Sequence, residues 1–327
     1  MDLKQEIQTR AYIFNEALNE FLETKKPEKL YKAAYHLPLA GGKRLRPVIA
    51  MVACEAISQS HKDIIPFAIA LEVTHNFTLV HDDIMDKSTL RRNTPTVHVE
   101  YGEPTAILAG DLLFAKAFEC MTQYKEVLPV WSTLNQLLID GIIDVCEGQQ
   151  LDMNFESRSI VSREEYIEMI GKKTAALFMI AAEGGAVAAR ASPPVQKALR
   201  RYGFELGLAF QIRDDVLDMS STTQTLGKDI GNDIRNGKKT LIAVHALEHA
   251  TGDYKKVLCD YFGNIDATDA QVHEVYEVFK ELGSLKYARD TANQYGFNAK
   301  ESLQSIIDSS AKNILLSLAD YAITRKK

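Results

Sequence analysis

The sequence predicts an all-α protein folded as a single helical domain over residues 1–327, and three observations carry that prediction. Apolar residues recur at helical spacing from the first turns (Leu3, Ile7, Ile13, Phe14, Leu18, Phe21, Leu22) to the last (Ile306, Ile307, Ile314, Leu315, Leu318, Tyr321). Runs that alternate apolar and polar with the period of a strand are scarce. The 9 prolines all fall at or before Pro194, and no Ser/Gly-rich or low-complexity stretch divides the chain.

The elements follow in order. An amphipathic start leads to Gly41-Gly42, where glycine permits a tight turn, and Pro47 suits the first turn of the helix beyond it. Residues 63–86, 128–153, 163–189 and 194–218 are long and apolar on most faces, which predicts four buried central helices among roughly a dozen. Turn chemistry falls at Arg91-Arg92-Asn93-Thr94-Pro95 and across 220–239, a stretch rich in Gly, Asp and Lys. No repeat of fixed period runs through the chain, which argues against a solenoid.

Composition narrows the function. With 46% apolar and 25% charged residues the chain can bury a sizeable core. A net charge of -6 offers no long-range attraction to nucleic acid or anionic lipid, so a phosphate ligand must be held by local cations. Cys54, Cys120, Cys146 and Cys259 form no C-x-x-C pair, which fits a reducing cytoplasm better than zinc or disulfides. The N-terminus lacks an apolar signal core, and the weakly charged run Thr174–Ala189 is interrupted by Glu183, so no integral membrane segment is expected.

Two segments break the apolar background. Asp82-Asp83-Ile84-Met85-Asp86 and Asp214-Asp215-Val216-Leu217-Asp218 each place three carboxylates in five residues. Helical residues four apart differ by about 40° in azimuth, so each motif projects its first and last Asp from one face. Like charges this close repel, and between apolar flanks such as Phe77-Thr78-Leu79-Val80 and Phe210-Gln211-Ile212 they demand a cation. Oxygen donors without Cys or paired His favour Mg2+, which keeps waters and completes its shell with phosphate oxygens. Facing motifs would clamp a diphosphate. The sequence also supplies cations beside its loops: Lys43, Arg44 and Arg46 after Gly41-Gly42, then Arg91-Arg92, Lys172-Lys173-Thr174, Lys228 and Lys238-Lys239-Thr240. Arg suits bidentate phosphate contact and Lys a point charge.

In this order, Gly41-Gly42-Lys43-Arg44-Leu45-Arg46-Pro47, Asp82 to Asp86 with Arg91-Arg92, Gly110-Asp111-Leu112-Leu113, Glu147-Gly148-Gln149, Lys173-Thr174, Phe210 to Asp215 and Gly237-Lys238-Lys239-Thr240 resemble the signature of the trans-isoprenyl diphosphate synthases. The resemblance runs from about residue 35 to 245. It implies an isoprenoid-synthase bundle around a deep central cavity, usually a homodimer, that condenses isopentenyl diphosphate (IPP) with an allylic diphosphate. Two or three Mg2+ ions per site would be held by Asp82, Asp86, Asp214 and Asp218, with Asp83 and Asp215 completing the acidic catalytic set. Arg91, Lys173, Lys228 and Lys238 would take the allylic diphosphate, Lys43, Arg46, His75 and Arg92 the IPP diphosphate, and Thr174 and Gln211 the allylic cation.

Product length depends, by the same resemblance, on what closes the cavity below the first motif. Phe77, with Thr78 beside it and Thr74 one turn earlier, looks like the geranylgeranyl (C20) pattern of archaeal enzymes. A helical wheel nevertheless sets Phe77 nearly opposite the carboxylates, with Thr78, Thr74 and Leu71 nearer the cavity line. A farnesyl (C15) or longer-chain synthase, a terpene cyclase sharing the first motif, and a silent partner subunit are the competing readings. His245-Ala246-Leu247-Glu248-His249 imitates an H-x-x-E-H metalloprotease pattern without a third ligand, and Gly231 to Thr240 a P-loop with wrong spacing and no preceding strand.

Overall fold

The computed structural model describes residues 2–122, 128–220 and 231–325. Among these the fold is helical throughout, apart from one two-residue antiparallel ladder. In chain order the helices are α1 (Leu3–Phe21), α2 (Glu28–Leu39), α3 (Leu45–Ser58), α4 (Ile65–Met85), α5 (Val97–Tyr101), α6 (Glu103–Met121), α7 (Leu128–Glu156), α8 (Arg163–Ile170), α9 (Ala176–Ala188) and α10 (Pro193–Ser220). They continue as α11 (Gly231–Arg235), α12 (Leu241–His249), α13 (Gly252–Tyr261), α14 (Asp269–Glu281), α15 (Ser284–Ser302) and α16 (Ser310–Thr324). The four long central helices expected from the sequence are α4, α7, α8 through α9, and α10.

Two local departures matter. The helix expected over 163–189 winds as α8, a π-helical turn over Gly171–Ala175, and α9. Residues 91–95, expected as a loop, form a hairpin in which β1 (Leu90–Arg91) pairs with β2 (Thr94–Pro95). Its two-residue tip, Arg92-Asn93, has φ of 53° and 61°, the left-handed pair that matches the strand twist. Of the expected 220–239 loop, the described part contains α11, followed by Thr240, whose side chain caps α12 by accepting from the Ala243 N–H.

The chain forms two compact units, one of residues 1–143, 177–203 and 302–317, the other of 144–176, 204–301 and 318–327. In the first, α4 packs along α6. Gly110 permits this approach, because a Cβ there would stand 2.1 Å from the His81 ring, whose Nε2 pairs with the Ile107 carbonyl. The Tyr202 hydroxyl, fully buried, donates to the Leu315 carbonyl at 2.7 Å and ties α10 to α16. The second unit is built on Tyr166, Ile170, Leu208, Ile212, Val216, Leu241, Val275 and Phe279. Capping boxes at Ser162/Glu165 and Thr268/Gln271 start its helices α8 and α14. Residues 62–85 are long and apolar enough to cross a membrane, yet 72% of that window is buried inside the protein.

Candidate active site

The first acidic motif ends α4, where the unpaired carbonyls of the last turn already carry partial negative charge and a cation is most favoured. Its three carboxylates are not equivalent: Asp82 is half-buried, Asp86 exposed and Asp83 1% exposed. Asp83 accepts from Arg91 Nε at 2.8 and 3.0 Å. Burial raises the Asp83 pKa, and the Arg91 charge and hydrogen bond work against that rise. The middle aspartate therefore fastens the hairpin to α4, and the outer two carry the negative face.

The basic cluster sorts in the same way. Arg44, though part of the Gly41–Pro47 motif, is buried and structural: it donates to Glu72 Oε1 at 2.6 Å, to the Pro38 carbonyl at 2.5 Å and to Asn15 Oδ1 at 3.0 Å. Lys43 is exposed. Arg46 lies with its guanidinium 4.6 Å from the Phe178 ring centroid and bonds His75 Nε2 at 3.1 Å. Burial, then the charges of Arg46 and Arg92, hold the His75 pKa well below its ordinary value, so the neutral ring accepts from Arg46. Arg92 donates to the Leu37 carbonyl at 3.0 Å, to the Gly41 carbonyl, and to Asn76 Oδ1 at 3.5 Å. Gly42, at φ +140°, leaves room for it: a Cβ would stand 3.1 Å from the Arg92 Cζ. A left-handed non-glycine costs about 1–2 kcal/mol, and these contacts hold Arg92 in that state.

Phe77 packs on the α6 side of α4, edge-on to His81 (5.8 Å between centroids) and to Phe114 (5.5 Å), which in turn meets Phe118 at 5.2 Å. Thr74 is fully buried and its hydroxyl makes no hydrogen bond, whereas Thr78 donates to the His75 carbonyl at 2.8 Å.

In the second unit Asp152, Lys173, Thr174, Gln211, Asp215 and Lys238 line one cavity of about 70 Å3. The motif near the end of α10 repeats the pattern of the first: Asp214 half-buried, Asp215 4% exposed, Asp218 exposed. Asp215 accepts from the Tyr166 hydroxyl at 2.6 Å and from Gln211 Nε2 at 3.0 Å. Burial pushes its pKa up to about 6 against the opposing effects of Lys238, Tyr166 and Gln211. Burial alone would lower the Lys238 pKa, but Asp233, Asp215, Asp152 and Asp218 outweigh it and raise the ammonium above its ordinary value. Lys173 pairs with Asp152 at 2.6 Å, and Lys172 turns away to Glu147 at 2.5 Å and Asp144 at 3.2 Å. Among the described residues no three His, Cys, Asp or Glu side chains converge closely enough to hold an ion alone.

The π turn gives Lys173 and Thr174 their place, and Gly148 on α7 makes room for it. A Cβ at 148 would stand 2.2 Å from the Lys173 backbone N and 2.7 Å from its Cα. Backbone cannot rotate aside as a side chain can, so Gly148→Ala is expected to cost about 1–3 kcal/mol by overpacking. It should also cut turnover more than tenfold; wild-type turnover with lowered Tm would confine the effect to packing.

The site residues expected from the sequence thus fall into two described groups: Lys43, Arg46, His75, Asp82, Asp83, Asp86, Arg91 and Arg92 in one unit, and Lys173, Thr174, Gln211, Asp214, Asp215, Asp218 and Lys238 in the other. Lys228 lies outside the described residues. The sequence reading missed Glu72, Asn76, Asp152, Tyr166 and Arg325. Glu72 and Asp152 carried a signal, a carboxylate on a helix facing apolar neighbours. Arg325 carried none: it donates to the Phe210 carbonyl at 3.0 Å, pairs with Asp214 at 2.6 Å, and its guanidinium stands 3.7 Å from the Phe210 ring centroid. His245, in the H-x-x-E-H stretch, stacks between His249 (4.2 Å) and Tyr287 (4.3 Å) and pairs with Ser284 at 2.9 Å, a packed aromatic ladder.

An all-α scaffold whose helices end in aspartate triplets, with buried middle carboxylates and cations close by, has the architecture of an isoprenyl synthase. The polyprenyl synthetase family matches residues 27–279, and the chain belongs to it. It is 43% identical over 327 residues to the geranylgeranyl diphosphate synthase of Methanosarcina mazei, covering 100% of this chain and 99% of that one. It is 38% identical over 337 residues to the geranylfarnesyl diphosphate synthase of Natronomonas pharaonis, covering 98% and 96%. The crystal structure of geranylgeranyl pyrophosphate synthetase from Pyrococcus horikoshii superposes with a TM-score of 0.93 at 40% identity, covering 99% and 98%.

Proposed function

We propose that this prenyltransferase condenses IPP with C5 to C15 allylic diphosphates and releases geranylgeranyl diphosphate. The observation that carries the reading is the shared layout of the two motifs, in which the middle aspartate is buried and hydrogen-bonded inside the protein while the first is half-buried and the last exposed, Asp214 also pairing with Arg325. Oxygen-only donors at the negative end of a helix fit Mg2+, and Asp82, Asp86, Asp214 and Asp218 are the residues to hold it. Bound there, Mg2+ supplies charge neutralisation to the departing diphosphate.

The chain's own residues do the rest. Arg91, Lys173, Lys228 and Lys238 bind the allylic diphosphate, so that the electrons of the breaking carbon–oxygen bond leave with pyrophosphate. Lys43, Arg46 and Arg92 take the IPP diphosphate, with neutral His75 holding Arg46 in place. Thr174 and Gln211 present oxygens to the allylic cation. The IPP double bond then forms the new carbon–carbon bond, and a proton leaves to the pyrophosphate. The chain acts as a homodimer, supported by the exposed apolar residues Ile107 (43%), Leu108 (56%) and Phe114 (40%) on α6; sedimentation at monomer mass would remove that part.

The test is incubation of the purified protein with Mg2+, labelled IPP and, separately, C5, C10 and C15 primers, followed by dephosphorylation and chromatography. A C20 alcohol from all three is expected. No condensation would sink the reading, and cyclic hydrocarbon without IPP incorporation would replace it with a cyclase. The resemblance to a geranylfarnesyl enzyme favours C25 as the second reading. Phe77→Ala, which opens the ring contact with Phe114, is expected to shift the main product to C25 or longer; an unchanged C20 product would remove Phe77 from length control.

A further inference from the structure

We propose that Tyr166 is a positioning residue for the condensation, its hydroxyl acting through Asp215 to decide which end of the Gln211 carboxamide faces Thr174. The inference rests on the synthase reading above, since it assigns Thr174 and Gln211 a charge to stabilise.

Four groups form one chain of hydrogen bonds along a single cavity wall. Tyr166 Oη lies 2.6 Å from Asp215 Oδ2, Gln211 Nε2 lies 3.0 Å from Asp215 Oδ1, and Thr174 Oγ1 lies 3.0 Å from Gln211 Oε1. Tyr166 is 1% exposed and Asp215 4% exposed, so water does not compete at the closed end of the chain. A carboxylate only accepts. Tyr166 must therefore donate, and the Gln211 amide nitrogen must be the end turned to Asp215. The amide oxygen is then turned to Thr174, whose hydroxyl proton must point at it. The donors that form the chain all point toward Asp215; the Thr174 and Gln211 oxygens keep lone pairs, and the second Gln211 N–H stays at the amide end turned to Asp215. That is the polarity that favours a developing cation.

A glutamine amide has no intrinsic preference between its two ends, so the network alone decides. Tyr166 occupies the oxygen of Asp215 that Gln211 does not use. Without that hydroxyl the carboxylate can rotate, and the amide is released with it. The ring of Tyr166 belongs to the core of its unit, and its hydroxyl also accepts from the Leu241 backbone N–H at the start of α12. Removing the one oxygen keeps the ring's packing and takes away both hydrogen bonds.

The experiment is Tyr166→Phe in the full-length protein, with Tm, steady-state kinetics and side-chain amide NMR. With the ring retained the core stays filled, and the lost buried hydrogen bonds should lower Tm by only a few degrees. Loss of one hydrogen bond to a charged group predicts a fall of about 10- to 100-fold in kcat, with KM for IPP and for the allylic primer unchanged. Combined with Gln211→Ala, the second substitution should add almost no further loss, because Tyr166 acts through Gln211. The Gln211 amide protons, assigned by their disappearance in Gln211→Ala, should be protected from exchange in the wild type and lose that protection in Tyr166→Phe. Unchanged kcat, a rise in KM alone, or fully additive losses would overturn the proposal, as would an amide signal indifferent to Tyr166. If Tyr166→Phe does not fold, Asp215→Asn makes the same comparison, since an asparagine can donate and would let the Gln211 amide reverse. The amide readout needs no turnover, so a wild type that fails to condense while its Gln211 signal depends on Tyr166 would remove the synthase reading and leave the link intact.

Discussion

Asp82→Ala and Asp86→Ala are each expected to lower the condensation rate by about 10²- to 10³-fold, the usual cost of losing one group placed against developing charge. Both carboxylates stand at the negative end of α4, and removing the exposed Asp86 relieves repulsion with the helix and should stabilise by about 0.3–1 kcal/mol. The half-maximal Mg2+ concentration should rise in the same variants. Asp83→Ala reverses the signature: it leaves Arg91 without its partner, lowers Tm, and lets the hairpin at residues 90–95 loosen. Because Arg91 is 30% exposed, solvent screening discounts that loss to about 1–3 kcal/mol. Kinetics and melting measured on the three variants together would decide it, and equal effects at all three positions would deny the division between outer and middle aspartates.

Glu72→Ala should be the most destabilising single change among the described charged residues. Its carboxylate and the Arg44 guanidinium are 4% and 3% exposed and meet at 2.6 Å. Breaking such a pair strands a charge in low dielectric at a cost of about 3–5 kcal/mol. For a chain of this size about 1 kcal/mol corresponds to roughly 2–4 °C, so Tm should fall by about 6–20 °C. The double variant Arg44→Met with Glu72→Met removes both charges and should recover most of that loss. Were Arg44 a phosphate ligand instead, Arg44→Met would raise KM for IPP with Tm unchanged. Thermal unfolding and KM measured on the same three variants separate the two cases.

Much of this was legible beforehand because it is local. The 3.6-residue recurrence of apolar side chains marks α4, α7 and α10 wherever they are packed, since it depends only on the rise and twist of a helix. The first and last aspartates of each motif share a face for the same reason. The wheel also set Phe77 opposite the carboxylates, and the ring lies on the α6 side. The hairpin at Arg91–Pro95 was less visible: its tip lacks the usual glycine, and the left-handed Arg92 is held by carbonyls of residues 37 and 41. The π turn at Gly171–Ala175 has no sequence period of its own.

By itself, then, the sequence determined the helical class, the two acidic faces, the supply of cations and the family pattern that joins them. Only the tertiary structure decided which charges are structural and which remain for a ligand. Arg44 and Arg46 are two residues apart, yet one is consumed by Glu72 and the other meets neutral His75. Asp214 and Asp215 are adjacent, yet one pairs with Arg325 and the other with Tyr166 and Gln211. The reason is physical: the strength of a charge or hydrogen bond depends on burial and on partners brought in from elsewhere along the chain. Neither quantity exists until the helices have packed.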